Sequence, residues 1–424
     1  MRSEIIPNSV FVDIGSTIIK YYRFDEFGNI SDGGYYPRDY EQVVGVQVWK
    51  ILMNELSLLP GRDRVRICSS ANGGLGVGVL GYTERFSSRW AAKAVFNAGG
   101  NVYWASTVHE LLNKVIIPVD MLVIACGVDG SPVNRQIIWL DQILKLGVIS
   151  ETIVFSGNAN LREHVLSRWP EAIVSNNIFG EDLRWVGNEL QLIISEAYLR
   201  DLVLSKGIEG LQVFSEVPIL PTPAVLQESY GAILRGETAF HFPLPLLLLD
   251  VGGATTDVYY GSELIADDEE NRPYTPENRH VFTHLGVSAS REILLQNIAL
   301  YDHLADFLKV LDPVNYNRNY IALREGDWQG VTEEFLAESC YFLALEACVH
   351  GRYGINKLNI ERVAAIVVTG GASQLCQIER FQQIALLCGA CNAMVQVDGN
   401  YQIWIEGMAR TKILTLKENI DGTK

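Results

Sequence analysis

Apolar residues follow two alternating patterns along this chain. Short runs of Val, Ile and Leu, bounded by Gly or polar residues, occur at Val10 to Asp13, Met121 to Ala125, Thr152 to Phe155, Leu246 to Asp250 and Val363 to Val368. Runs of this kind predict strands buried on both faces. Between them lie longer stretches of helical periodicity: Arg85 to Ala98, Asn160 to Arg168, Asn188 to Leu204, Ser288 to Val310 and Thr332 to Val349. The alternation predicts an α/β architecture.

One internal repeat organises the pattern. Phe11-Val-Asp-Ile-Gly-Ser-Thr-Ile-Ile-Lys-Tyr-Tyr22 is echoed by Leu249-Asp-Val-Gly-Gly-Ala-Thr-Thr-Asp-Val-Tyr-Tyr260. Each copy reads as strand, glycine turn, strand, and each is followed by a turn signal, Asp25 to Gly28 in the first and Gly261-Ser262 in the second. Two related domains are therefore expected, residues 1–227 and 228–424, divided just after Pro221-Thr-Pro223. Asp267 to Asn278, rich in acid and proline, is expected to be an exposed loop, and the tail after Leu416 to fray.

The chemistry lies in the repeat. An Asp at a strand end, followed by Gly and small hydroxyl residues, sets a carboxylate beside a tight turn whose bare N–H groups approach a phosphate chain, where a Cβ would hold the anion away. Two such carboxylates across a cleft, Asp13 and Asp250, suit a hydrated Mg²⁺, and one of them can orient the water that attacks a γ-phosphate. Ile366-Val-Val-Thr-Gly-Gly-Ala-Ser373 is a strand running into a Gly-Gly turn and a helix, suited to an adenosine lying on bare backbone.

This order, two phosphate hairpins and then a Gly-Gly adenosine turn, resembles the superfamily of actin, the sugar kinases and the seventy-kilodalton heat-shock chaperones. The resemblance implies two ribonuclease-H-like domains with ATP and Mg²⁺ in the cleft between them. It places Asp13, Gly15, Ser16, Thr17 and Lys20 on the first phosphate loop, Asp250, Gly252, Gly253, Thr255 and Thr256 on the second, and Gly370, Gly371 and Ser373 on the adenosine turn. Asp250 would orient the water and Asp13 hold the metal through water. Lys20 contacts phosphate or points to solvent; Asp257 caps its turn or joins the site. The chaperones carry an acidic residue before the Pro-Thr of the linking helix, where this chain has Leu220. Hydrolysis is accordingly expected to be slow.

Further segments narrow the resemblance. Cys68-Ser-Ser-Ala-Asn-Gly-Gly-Leu75, Ala91 to Gly100, Ala125-Cys-Gly-Val-Asp-Gly130, Thr152 to Asn158, and Lys206-Gly-Ile208 ahead of Pro221-Thr-Pro223 resemble the accessory proteins of methylaspartate (glutamate) mutase, the GlmL or MutL family. The matches run from about residue 10 to 410. Two departures stand out: Ile18 replaces a usual Thr, and Thr283-His-Leu-Gly-Val-Ser288 replaces an acidic-glycine motif. The resemblance implies an ATP-using chaperone, or reactivase, whose partners are the subunits of a cobalamin-dependent mutase; the mismatch-repair protein that shares the name is unrelated. Asp129, in a Gly-bracketed turn, is either a third carboxylate near the cleft or an ordinary turn former.

Composition limits the alternatives. With 424 residues, 48% of them hydrophobic, the chain can bury a large core, and a net charge of -16 without a basic run speaks against nucleic acid. The first ten residues lack an apolar signal core, and Leu244-Pro-Leu-Leu-Leu-Leu249 is too short to span a bilayer, so the protein is expected in the cytoplasm, off the membrane. Seven irregularly spaced cysteines predict reduced thiols. Cys388-Gly-Ala-Cys391 supplies at most half a metal site. Gly76-Val-Gly-Val-Leu-Gly81 matches the dinucleotide fingerprint only formally, because its glycines lie within an apolar run. No Walker loop or His-Glu-x-x-His motif occurs. Trp90, Trp104 and Trp139 read as core or interface aromatics. Besides the reactivase, two readings stay open, a non-hydrolysing actin-like regulatory or structural protein and a small-molecule kinase of the same fold; homo-oligomerisation is compatible with all three.

Overall fold

The computed structural model describes residues 6–70, 75–98, 100–112, 116–180, 187–205, 207–267, 277–300, 313–352 and 355–410. Residues 71–74, Gly99, Lys206, most of the acidic loop and the C-terminal tail, all named above, lie outside the described residues.

The chain opens with β1 (Ser9–Ile14), β2 (Ile18–Phe24), β3 (Ile30–Pro37) and β4 (Arg64–Ser69). A separate series follows: β5 (Gly76–Gly81), β6 (Asn101–Ser106), β7 (Val119–Cys126), β8 (Ser150–Gly157) and β9 (Ile173–Ser175). β10 (Leu220–Pro221) then returns to the first sheet, which runs β10-β4-β1-β2-β3. The remaining strands are β11 (Leu246–Val251), β12 (Thr256–Gly261), β13 (Glu277–Phe282), β14 (Ala365–Thr369) and β15 (Met394–Val397), in the order β15-β14-β11-β12-β13. Strand for strand the two sheets are equivalent. In each, the first three strands form an antiparallel meander, and the last two add parallel to the first strand. That is the ribonuclease-H-like order, present twice.

The hairpin repeat predicts two sheets, and the structure has three. Strands β5 to β9 form a wholly parallel sheet in the order β6-β5-β7-β8-β9, inserted between β4 and β10. Buried parallel strands carry the same unbroken apolar signal whichever sheet they join, so composition alone does not separate them. The glycines of β5 make room for aromatic rings: a Cβ on Gly76 would lie 2.7 Å from the Tyr103 ring, and one on Gly78 would run into Trp104. Trp90 and Trp139 are buried and Trp104 is partly so. The insertion shares a core with the first sheet, Val77, Val79 and Val123 packing in the same cluster as Val10, Val12 and Ile14.

Two helices tie the halves together. The linking helix Thr222–Leu234, within which the expected boundary at residue 227 falls, packs against the closing helix Gln402–Arg410. Both lie in a core fed from each side, by Phe11 and Phe24 of the first sheet and by Leu246, Leu248 and Tyr259 of the second. Their crossing is close at Gly407, where a Cβ would collide with the Val225 carbonyl oxygen. On an exposed helix, Gly to Ala stabilises by about 1 kcal/mol. Here Gly407→Ala is expected to do the opposite, lowering the midpoint of thermal unfolding by several degrees, as overpacked cores do.

Candidate functional site

The two glycine turns are built alike. The Gly15 N–H donates to the Ile18 carbonyl and the Gly252 N–H to the Thr255 carbonyl, both at 2.9 Å. The carbonyls of each turn are held from behind. In the first turn, Gly15 O accepts from Arg38 Nη1, Ser16 O from the Tyr40 hydroxyl and Thr17 O from the Arg38 N–H. In the second, Gly252 O accepts from the Val287 N–H, Gly253 O from the N–H groups of Ser288 and Ala289, and Ala254 O from Ser290 Oγ. Among the described residues, no acceptor takes the N–H groups of Ser16, Thr17, Gly253 or Ala254. Peptide units fixed by their oxygens and bare at their nitrogens form an anion-binding surface.

Both turns line one cavity of about 370 Å³, together with Gly370 and Gly371, a size ordinary for a small-molecule site. The turns approach closely, for a Cβ on Gly253 would lie 2.6 Å from Thr17 Cγ2. Gly370 has φ +88°, and a Cβ there would strike Asp250 Oδ1, so the Gly370-Gly371 turn closes directly over that carboxylate.

Three carboxylates reach the cavity floor. Asp13, 4% exposed, receives Thr222 Oγ1 at 2.5 Å and the Cys68 thiol at 3.3 Å on Oδ1, and Lys20 Nζ at 2.9 Å on Oδ2. Burial would lower the Lys20 ammonium, but Asp13 outweighs it and holds Lys20 charged, above its ordinary value. Asp257, opposite Asp250 in the β11–β12 register, is paired with Arg279 of β13, whose Nε donates at 2.7 Å, and accepts from Thr255 Oγ1 at 3.1 Å. Asp250 has no hydrogen bond or ion pair to a described residue. Burial first, then the charges of Asp257 and Asp13, push its carboxyl up to about 7, against the opposing pull of Lys20 and Arg279.

The structure brings together Asp13, Gly15, Ser16, Thr17, Lys20, Asp250, Gly252, Gly253, Thr255, Gly370 and Gly371 around the cavity, with Asp257 beside them. Thr256 and Ser373 do not line it. The Thr256 hydroxyl is fully buried and donates to the Leu285 carbonyl, and Ser373 Oγ donates to Gly370 O at 2.6 Å, bracing the turn from within. Asp129 lies at the far end of β7, where it accepts from the Ala159 N–H and from Asn177 Nδ2, and it does not line the cavity. Among the described residues, no cluster of three or more His, Cys, Asp or Glu side chains is arranged to hold a metal; Cys388 is half-buried and Cys391 exposed. No described helix is long and apolar enough to cross a membrane. Sequence reasoning missed Arg279, Thr222, Tyr198 and Gly100, all of which line the cavity. Of these, only Thr222, in Pro-Thr-Pro, and Gly100, closing the Ala91 to Gly100 segment, fall in quoted motifs.

The raised Asp250 carboxyl has a consequence for stability. Unfolded, the group titrates near 3.8; folded, near 7. Between these values the folded state keeps a proton the unfolded state has lost, so stability falls as pH rises through 7. Asp250→Asn removes that penalty. In nucleotide-free protein with chelator, the variant is expected to unfold at a higher temperature than wild type at pH 8, by a gain on the order of 2 kcal/mol, and with little difference at pH 4. Equal gains at both pH values would contradict the assignment.

Comparison with known proteins identifies the family. A family model described as MutL protein matches residues 9–385. Protein MutL of Clostridium tetanomorphum is 26% identical over 215 residues, which are 49% of this chain and 45% of that protein; the chain thus spans about half the length of this relative. Solved structures that resemble it include a ROK family glucokinase from Streptomyces griseus in complex with glucose and AMPPNP, at 12% identity over 95% of this chain and 97% of that one, TM-score 0.34. The activator of the 2-hydroxyisocaproyl-CoA dehydratase from Clostridium difficile with bound ADPNP has 11% identity over 95% and 92%, TM-score 0.31. Gluconate kinase from Lactobacillus acidophilus has 12% identity over 95% and 88%, TM-score 0.37. At TM-scores this low the overlap is too loose to transfer a function, whereas the family match takes in most of the chain, and the protein belongs to the MutL protein family.

Proposed function

We propose that this protein is an ATP-binding accessory chaperone that reactivates a cobalamin-dependent mutase, such as glutamate (methylaspartate) mutase, by nucleotide-driven closure of its cleft. The observation that carries the nucleotide part is the mirrored pair of glycine turns, each with its carbonyls held from behind and its N–H groups left bare, facing one cavity closed by Gly370 and Gly371. The mutase part rests on the family.

In this reading the phosphate chain lies between the Ser16–Thr17 and Gly253–Ala254 turns, and Lys20 adds a charge at its end. Asp250, the floor carboxylate without a protein partner among the described residues, orients the attacking water and accepts its proton. The donor set suits magnesium, which commonly takes one or two carboxylates with phosphate oxygens and water. Asp13 and Asp250 would hold it through water, with Lys20 kept beside Asp13. The ion would offset charge on the β- and γ-phosphates. Thr222 fixes Asp13 from the start of the linking helix, and beside it stands Leu220, where the chaperones have an acidic residue. Turnover is therefore slow. Leu220 and the Lys20–Asp13 pair also favour the second reading, an actin-like protein that binds nucleotide without hydrolysing it.

The test is ATP binding and steady-state hydrolysis by the purified protein with Mg²⁺, alone and with a candidate cobalamin-dependent mutase. Binding with client-stimulated turnover, reduced at least tenfold in Asp250→Ala, is expected, on the order seen when a positioned base is removed. Binding without turnover would select the second reading, turnover that needs an added small-molecule acceptor would select a kinase, and no binding would overturn all three. Gly370→Ala, which places a methyl against Asp250 at a positive φ, is expected to abolish binding in an equilibrium titration.

A further inference from the structure

Lys20 is gripped from three sides. Its ammonium meets Asp13 Oδ2 at 2.9 Å, the ring of Tyr401 lies 4.1 Å away and the ring of Trp404 5.1 Å away. Both rings are within cation–π reach. They belong to the start of the closing helix, so a cation on the first hairpin is held by aromatics from the C-terminal end of the described chain.

The local backbone is shaped for this contact. Tyr401 has φ +54°, a left-handed conformation that a bulky residue adopts only when its surroundings impose it. Asp398 imposes it, accepting from the N–H groups of Gln402 at 2.7 Å and Ile403 at 3.0 Å, while its own carbonyl receives the Tyr401 N–H. Trp404 is pinned by its indole N–H to Cys68 Sγ at 3.2 Å. Asp398 also accepts from Thr369 Oγ1 at 3.3 Å, next to Gly370, so the turn that presents the rings is fastened to the adenosine end of the cavity.

We propose that Tyr401 and Trp404 are positioning residues that hold the Lys20 ammonium at the phosphate end of the nucleotide cavity. This rests on the nucleotide-binding reading above. A lysine stem free to sample its rotamers loses that freedom on meeting a phosphate; one already caged does not, so the rings strengthen the phosphate contact, Tyr401 from outside the cavity lining. Trp404 lines the cavity and Tyr401 does not, so Tyr401 acts on the ligand only through Lys20, and its contribution is confined to the phosphates.

Binding of ATP and of adenosine, which has no phosphate, separates this role from a structural one. Tyr401→Leu is expected to weaken ATP about three- to tenfold and adenosine less than about twofold. Tyr401→Phe, which keeps the ring, should bind ATP nearly as wild type does. In a Lys20→Met background the loss from Tyr401→Leu should vanish, the signature of two residues acting as one. Should Tyr401→Leu fail to fold, Tyr401→Asn, tolerant of the left-handed backbone, takes its place. Equal losses for ATP and adenosine, or losses that add in the double variant, would overturn the inference. Wild-type protein that binds no ATP would instead overturn the reading on which it rests.

Discussion

The arrangement depends on compensating the charge of three carboxylates at one seam. Duplication sets Asp13 and Asp250 on opposite walls of a single cavity, and the antiparallel register places Asp257 directly beside Asp250. Left alone, three negative charges this close would repel one another and any incoming phosphate. Lys20 neutralises Asp13 and Arg279 neutralises Asp257, each from the neighbouring strand of the same meander. Such buried pairs add little net stability, since desolvation offsets most of the attraction. Their effect is to leave one carboxylate, Asp250, uncommitted in a cavity that also presents the bare backbone N–H groups of both turns.

The same economy explains the shape of the turns. A phosphate site made of amides requires that the carbonyls of those peptides be satisfied elsewhere. In the first half the loop after β3 supplies the donors, through Arg38 and Tyr40; in the second the segment after β13 does so, through Val287 to Ser290. The donors differ in chemistry but occupy equivalent places, immediately after the third strand of each meander. What the duplication preserves is the position of support, which is why the repeat is visible at the turns and absent from the segments behind them.

Much of the site was legible because strand-end glycines and acids announce themselves. Asp13, Asp250 and the Gly370-Gly371 turn are fixed by local sequence. What failed to read depended on direction or on pairing. Thr256 begins β12, and alternation along a strand sends its side chain to the face opposite Asp257, so it meets the Leu285 carbonyl rather than the cavity. Ser373 is consumed by its own turn. Arg279 sits in a segment whose sequence has no motif; it pairs with Tyr259 in register and joins the site only by reaching diagonally across to Asp257. The third sheet was illegible for a related reason: apolar runs give the existence of buried strands but not their partners.

That third sheet bears on how the cleft can act. It shares its core with the first sheet, so the two belong to one packed body. The helix Arg89–Asn97, which follows β5, crosses to pack on β13 of the second sheet, and Gly100 and Tyr198 from the insertion line the cavity between the glycine turns. β13 also carries Arg279, the partner of Asp257. Any widening of the gap between Thr17 and Gly253 must therefore be taken up either at the linking helix or at this helix-to-strand contact. Packed interfaces of this kind tend to hold one of a few discrete arrangements rather than stretch continuously. On the proposed nucleotide-binding reading, a phosphate drawing the two glycine turns together would act on β13 as well as on the turns.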